Sequence, residues 1–155
     1  SSITTILSAA GNVDCSGSYG CYDITSIDGK NIECSGADSC ASDSSSSKPA
    51  AILTATAAIK CSGYSGCRRS ELNPGRNKKT ICYSGWSCEH STITGGTTAN
   101  CDATVSCGYS QLSPKKLACC AGDWSCRDSV ITGSDSAQSY GDNAIASADI
   151  IGVET

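Results

Sequence analysis

The sequence predicts an all-β fold: a right-handed parallel β-solenoid (β-helix) of about six disulfide-braced coils, each roughly 19–27 residues long. Twelve of the 13 cysteines form six pairs with the spacing Cys-x5-Cys, and these pairs recur along most of the chain. Ile, Leu and Val contribute only 22 of 155 residues, and Phe and Met are absent. So few large apolar side chains exclude a helical bundle or a doubly wound α/β domain, because the core of either would not be filled. The high cysteine content and the net charge of only -4 are instead typical of secreted domains held together by disulfides.

Other residue types recur at fixed distances in sequence from the paired cysteines. Serine stands three residues after each of the last four second cysteines, and Leu or Ile stands five residues after it. A period of ~19 residues, punctuated by Gly and Pro and without helical periodicity, indicates one solenoid coil per repeat. Each coil is predicted to contain a strand, a Ser-Gly turn between the cysteines, a second strand and a corner. The pairs are Cys15 with Cys21, Cys34 with Cys40, Cys61 with Cys67, Cys82 with Cys88, Cys101 with Cys107, and Cys120 with Cys126.

We interpret residues 1–155 as one solenoid domain with coils starting near residues 15, 34, 61, 82, 101 and 120 and partial coils at 1–14 and 139–155. Insertions are placed at residues 42–49 and 73–79. The Ala-rich segment 50–60 is compatible with a helix, but it leads into Cys61 as the strands of other coils do, which favours a strand. An uncapped solenoid end is an open sheet edge, and such edges pair with other chains.

The cysteine pairing follows from distances in a stacked fold. A disulfide requires Cβ atoms ~3.8 Å apart. Equivalent residues on stacked coils lie ~4.8 Å apart with parallel Cβ vectors. Pairing within each coil is therefore favoured over coil-to-coil bridges, which remain the alternative. Cys119 is left over, and alternation along the strand from Cys120 directs it outward. It is expected to be a free thiol or to bond another chain, and a different intramolecular pairing is the remaining alternative.

The sequence contains no recognisable catalytic or metal motif. A five-residue spacer repeated six times does not fit the Cys-x2-4-Cys knuckles of zinc sites, so we expect no metal and no cofactor. One histidine, His90, and scattered carboxylates do not form a catalytic set, and neither a nucleophile elbow nor a phosphate loop occurs, so we expect no enzymatic activity. An isoelectric point near 4.8 argues against nucleic-acid binding, and no apolar run approaches the ~20 residues of a membrane span.

Aromatic residues recur in the turns between paired cysteines and form a candidate contact surface. They can cover their own turns, contact another protein or stack on sugar rings. The residues are Tyr19, Tyr64, Tyr83, Trp86 and Trp124.

The turns from Cys15 to Cys21 and from Cys61 to Cys67 resemble those of cysteine-ribbed β-solenoids, and the resemblance runs from about Val13 to Gly133. One similar group is the extracellular right-handed β-helix proteins of protist and algal surfaces, including flagellar hairs, which implies a secreted, structural and often polymeric protein. A weaker resemblance is to insect ice-binding solenoids, whose activity resides in a regular Thr-x-Thr array.

From the repeated coils, the uncapped ends, the unpaired Cys119 and the absence of a catalytic set, we expect an extracellular or cell-surface structural subunit that self-assembles into a filament or layer. The alternative is a module that binds ice or carbohydrate. The partners expected are further copies of the chain and, secondarily, glycans. Thr-x-Thr occurs at Thr54-x-Thr56 and at Thr92-x-Thr94, on non-adjacent coils.

Overall fold

The computed structural model describes residues 5–42 and 50–152. It confirms the all-β parallel solenoid, which has about seven turns, and the first six of them each contain one disulfide. Of the insertion at residues 42–49, only Ser42 is among the described residues. The outermost residues of both partial coils also lie outside the described ranges. Within the described ranges no helix is long and apolar enough to cross a membrane.

One face of the solenoid is an eight-stranded parallel sheet, here called the aliphatic sheet, whose strands pair in the order β1-β3-β5-β7-β9-β11-β13-β15. Register follows the repeat, so Leu72 pairs with Ile93 in the next coil. The strands are β1 (Ile6–Ser8), β3 (Ser26–Gly29), β5 (Ala51–Ala55), β7 (Ser70–Asn73), β9 (Thr92–Thr94), β11 (Gln111–Ser113), β13 (Val130–Thr132) and β15 (Asp149–Ile151).

The opposite face is a seven-stranded parallel sheet, here called the cysteine sheet, because the first cysteine of each pair ends a strand. Segment 50–60 forms β5 and most of β6, which confirms the strand interpretation over the helix. The strands are β2 (Val13–Cys15), β4 (Ile32–Cys34), β6 (Ile59–Cys61), β8 (Lys79–Cys82), β10 (Thr98–Cys101), β12 (Leu117–Cys120) and β14 (Ser136–Ser139).

The core is a narrow interior filled by stacked columns. Alternation along each short strand directs every second side chain inward, and the aliphatic sheet contributes a ladder of Leu and Ile. Ile131 within this ladder is 0% exposed, while Ile150 at its end is 43% exposed. Each ladder residue is therefore buried by the coils on both sides of it.

A third wall closes the coil between the two sheets. We number coils 1 to 7 by the residue at the first cysteine position: Cys15, Cys34, Cys61, Cys82, Cys101, Cys120 and Ser139. The turn wall is the segment from three residues after that position to two residues after the second cysteine position. In coil 4, the N–H groups of Trp86, Cys88 and His90 donate to carbonyls of coil 5 at 3.4, 2.7 and 3.0 Å.

The turn wall uses a backbone conformation that ordinary strands do not. Two positions of the wall have φ between 50° and 61°, the left-handed region that favours glycine, yet none of these residues is glycine. Such residues cost on the order of 1–3 kcal/mol each, and here the inter-coil hydrogen bonds offset that cost. The first position holds Tyr19, Asp38, Ser65, Trp86, Val105, Trp124 and Asn143, and the second holds Asp23, Arg69, His90, Tyr109, Asp128 and Ser147.

Close approach between coils explains one run of glycines. A Cβ on Gly63 would lie 2.0 Å from the carbonyl oxygen of Gly36, and a Cβ on Gly36 would lie 2.3 Å from that of Gly17. Because backbone atoms occupy the space, glycine at these positions allows the second and third coils to stack directly.

Candidate binding surface

The six disulfides each join two cysteines of the same coil, and no disulfide in the described residues joins two coils. Their Cα atoms are 5.6–6.0 Å apart, within the ordinary range. The structure thus contains pairing within coils and not the coil-to-coil alternative. The bridges are Cys15–Cys21, Cys34–Cys40, Cys61–Cys67, Cys82–Cys88, Cys101–Cys107 and Cys120–Cys126.

Cys126 closes the last bridge of the series. It bonds Cys120, with 5.8 Å between the two Cα atoms, and its side chain is fully buried. Its N–H donates to the carbonyl of Ala144 in coil 7 at 2.7 Å. Coil 7 has Ser139 and Ile145 where coil 6 has Cys120 and Cys126, so the series of disulfides ends one coil before the described chain does.

Sulfur atoms of neighbouring coils stack closely. Those of Cys61, Cys82 and Cys88 lie within 4.8 Å of one another. Metal ligation requires thiolates, whereas all three of these sulfurs are oxidised in disulfides. The stacked disulfides, here called the cystine rib, therefore offer no thiolate ligand while they are intact.

Cys119 lies in β12 on the outward side of the cysteine sheet and is partly exposed, with its sulfur as a free thiol. Asn100 and Gln138 flank it in register on the two neighbouring strands. Burial raises the pKa of the Cys119 thiol above its ordinary value, and the negative charge of Asp102 raises it further.

The five aromatic residues predicted as a contact surface are all exposed and lie beside or on the turn wall. Trp86 and Trp124 occupy the same wall position in coils 4 and 6 and are 37% and 38% exposed. Tyr64 lies across Gly85 of the next coil, where a Cβ would come within 3.7 Å of the tyrosine ring. Tyr83 lies beside this pair, under the ammonium of Lys60, while Tyr19 is separated from them in coil 1 and packs edge-on against Tyr22 at 5.3 Å.

The structure adds three residues to this surface. His90 stacks on Tyr109 with ring centroids 5.0 Å apart, and the guanidinium of Arg127 lies 5.8 Å from the centroid of Tyr109 and 5.1 Å from that of Trp124. Arg127 is also paired with Asp128 at 2.8 Å. The signal in the sequence was the column two residues after the second cysteine, where His90 and Tyr109 are neighbours on adjacent coils.

A partly buried ion pair joins the turn walls of coils 3 and 4. The carboxylate of Glu89 is almost fully buried, and the Nε of Arg68 donates to it at 2.6 Å from the preceding coil. The imidazole of His90 lies 3.8 Å from the same carboxylate. This pair is an inter-coil clamp, because removal of the Arg68 charge would leave the buried carboxylate without its closest cation.

An open cleft of about 160 Å³ lies farther along the turn wall, toward the first coils. It combines aromatic and charged groups. Its lining residues are Tyr19, Tyr22, Asp38, Ala41, Ser42, Arg68 and Arg69.

The outward face of the aliphatic sheet lacks a regular threonine array in the described residues. Of the two Thr-x-Thr pairs, the first runs past the end of β5, whereas Thr92 and Thr94 both lie in β9. Glu71 and Gln111 flank Thr92 on the neighbouring strands. The repeated hydroxyl grid that ice-binding solenoids use is therefore represented by a single strand.

Comparison with protein-family models, with curated proteins and with solved structures finds no match for this chain. Its function is therefore argued from the geometry of the solenoid alone.

Proposed function

We propose that this chain is an extracellular structural subunit that assembles with further copies of itself, head to tail, into a filament or surface layer. The observation that carries the proposal is the direction of the hydrogen bonds along the turn wall. From coil 1 to coil 7, each backbone-to-backbone bond between the walls of adjacent coils has its N–H donor in the earlier coil and its carbonyl acceptor in the later one.

This single direction leaves complementary groups at the two ends of the wall. In coil 7, the N–H groups of Asn143, Ile145 and Ser147 have no acceptor within the described residues. In coil 1, the carbonyls of Ser18 and Gly20 receive no donor within those residues. These residues are exposed or partly exposed in the single chain, and a second copy stacked in register would supply the partners that each internal coil supplies.

The apolar ladder of the aliphatic sheet also leaves a surface at the coil 7 end that a second copy would cover. Ile150 continues the inward column of Ile131, but it is 43% exposed where Ile131 is fully covered. A stacked coil would remove this surface from water, which is favourable by roughly 25 cal/mol per Å² of apolar area. Apolar burial and backbone pairing therefore favour the same contact.

A contact between two different ends is heterologous, and heterologous contacts that do not close into a ring produce filaments. When the 155-residue chain itself is assembled, its seven coils at ~4.8 Å each give a repeat of about 34 Å along the axis. Such particles are expected to have constant width and a length that grows in steps of this size.

An extracellular location is part of the proposal and rests on the disulfides. Six cystines in 155 residues are typical of oxidising compartments, because reducing compartments keep thiols reduced.

Electron microscopy and sedimentation across a concentration series test the assembly. The expected result is rods of solenoid width that lengthen with concentration, and a strictly monomeric particle at high concentration would refute the proposal. Ile150→Lys places a charge at one end only and is expected to abolish growth, because edge lysines block strand addition. Ile52→Lys, on an outward position in the middle of the aliphatic sheet, is the matched control and should leave growth intact.

A mixing experiment separates head-to-tail growth from lateral packing. The Ile150→Lys chain keeps its coil 1 end, so it can add to a growing filament but cannot be extended. Small amounts mixed with the unmodified chain are therefore expected to shorten filaments, whereas lateral aggregates would be diluted in simple proportion.

A further inference from the structure

We propose that the turn wall of coils 4 to 6 is a binding platform for a neutral, extended β-1,4-linked polysaccharide of the cellulose or chitin type, with Trp86 and Trp124 stacking on its sugar rings. This goes beyond the structural role, because it assigns a ligand to a lateral surface that end-to-end assembly leaves uncovered.

The two indoles are spaced along the solenoid axis at a distance that suits a disaccharide. Both occupy the same left-handed wall position, with φ of 61° and 56°, and the N–H of each donates to a carbonyl of the next coil. They therefore lie on one line parallel to the solenoid axis, two coil rises apart, which is about 10 Å. That separation is close to one disaccharide of an extended β-1,4-linked chain, in which every second ring presents the same face.

A small side chain lies between the two indoles, and a guanidinium lies beside one of them. Val105 occupies the same position in coil 5, so a shorter side chain separates the two indoles. The guanidinium of Arg127 lies 5.1 Å from the centroid of Trp124 and restricts that ring. Trp124 is still 38% exposed, so it loses less rotamer entropy than a free side chain would when a flat ligand stacks on it.

Exposed carboxylates surround the two indoles. Asp102, Asp123 and Asp142 are exposed on the neighbouring turns, while the nearby guanidinium of Arg127 is already paired with Asp128. Carboxylates accept hydrogen bonds from hydroxyls and repel anions. The surroundings therefore favour a neutral glycan over a uronate or a sulfated polymer.

Depletion isotherms on microcrystalline cellulose and on chitin, with cross-linked dextran as an α-linked polymer, test the proposal. Binding to cellulose, chitin or both, with none to dextran, is expected, and the two arms identify which sugar is preferred. Binding to neither β-linked polymer, or equal binding to dextran, would overturn it. Trp86→Ala and Trp124→Ala are each expected to weaken binding about tenfold. Tyr19→Ala removes an exposed ring from the same wall position in coil 1, three coils before the platform, and should leave binding unchanged.

A spacing variant separates a sugar platform from a generally adhesive aromatic patch. Trp124→Val combined with Val105→Trp keeps the composition but brings the indoles from two coils apart to one. Position 105 has the same backbone conformation as positions 86 and 124, so the wall accommodates the exchange. Loss of binding about as large as in Trp124→Ala is expected, and unchanged binding would contradict the spacing argument. Unaltered far-ultraviolet dichroism and one free thiol per chain confirm that each variant is folded.

Discussion

The hydroxyl of Ser91 donates to the carbonyl of Cys67 in the preceding coil at 2.7 Å, and the same Oγ accepts the N–H of Ser70 at 3.2 Å. Ser110 repeats the arrangement one coil later, bonding the carbonyl of Cys88 at 2.8 Å and the N–H of Ser91 at 3.1 Å. One buried side chain thus satisfies a backbone donor and a backbone acceptor of the coil before it.

Ser91→Ala should destabilise the solenoid by about 1–3 kcal/mol, because it leaves the N–H of Ser70 and the carbonyl of Cys67 buried without these partners. The free energy of unfolding in denaturant, measured with the disulfides intact, checks this. A loss below a few tenths of a kcal/mol would show that the two backbone groups find other partners.

Ser106→Ala should not lower the free energy of unfolding and should raise it by up to about 1 kcal/mol. The Oγ of Ser106 is buried and has no hydrogen-bond partner in the part of the chain that the structure describes. Gly66 and Ala144 occupy the same column in coils 3 and 7, so the site accommodates a side chain without a hydroxyl. The same denaturation experiment serves, and a clear loss would indicate a partner such as bound water.

Replacement of Cys101 and Cys107 together by alanine should cost roughly 2.4 kcal/mol in loop entropy, since the bridge closes a loop of about seven residues. The lost burial of two sulfur atoms adds to that cost. Cys119→Ala is the control: it leaves all six disulfides in place and should change stability by less than about 0.5 kcal/mol. Equal effects of the two variants would contradict a bracing role for the rib.

Cys119 should alkylate more slowly than a free cysteine between about pH 8 and 9. A raised pKa lowers the thiolate fraction at any given pH, and the thiolate is the reactive form. Asp102→Asn removes one cause of the shift, so the pH–rate profile of iodoacetamide labelling should move toward lower pH. A profile that does not move would exclude Asp102 as a source of the shift.

Gly63→Ala should destabilise by about 1–3 kcal/mol or more, because its Cβ would overlap the backbone of Gly36 and force two coils apart. Gly17→Ala has nothing within 4 Å of its Cβ and is the matched control. Thermal unfolding of the two variants provides the comparison, and equal midpoints would mean that the coils separate at little cost.

The strand pattern was accessible from the sequence because it depends on side-chain identity. Cysteine at each strand end and Leu or Ile in a fixed column define what faces inward, and Leu72 and Ile93 occupy the predicted ladder. The serine column was visible too, but its bonding was not, since a hydroxyl in a strand can face either a carbonyl or solvent.

The turn wall was not accessible in the same way. Local propensity assigns the left-handed region to glycine, whereas Trp86 and Val105 adopt it because their N–H groups bond the next coil. Tertiary hydrogen bonding therefore overrides the local preference, and a reading of single residues does not reveal it. The aromatic column itself was visible, but the contact of Arg127 with Tyr109 and Trp124 depends on how coils 5 and 6 stack.

Because each described disulfide joins two cysteines of the same coil, tension along the axis is resisted by inter-coil hydrogen bonds, ion pairs and packing and by the corner segments of the main chain. If a coil is pulled from the end of the stack, its disulfide keeps the five residues that it encloses from extending. The disulfides thus shorten the length of main chain that the loss of one coil releases.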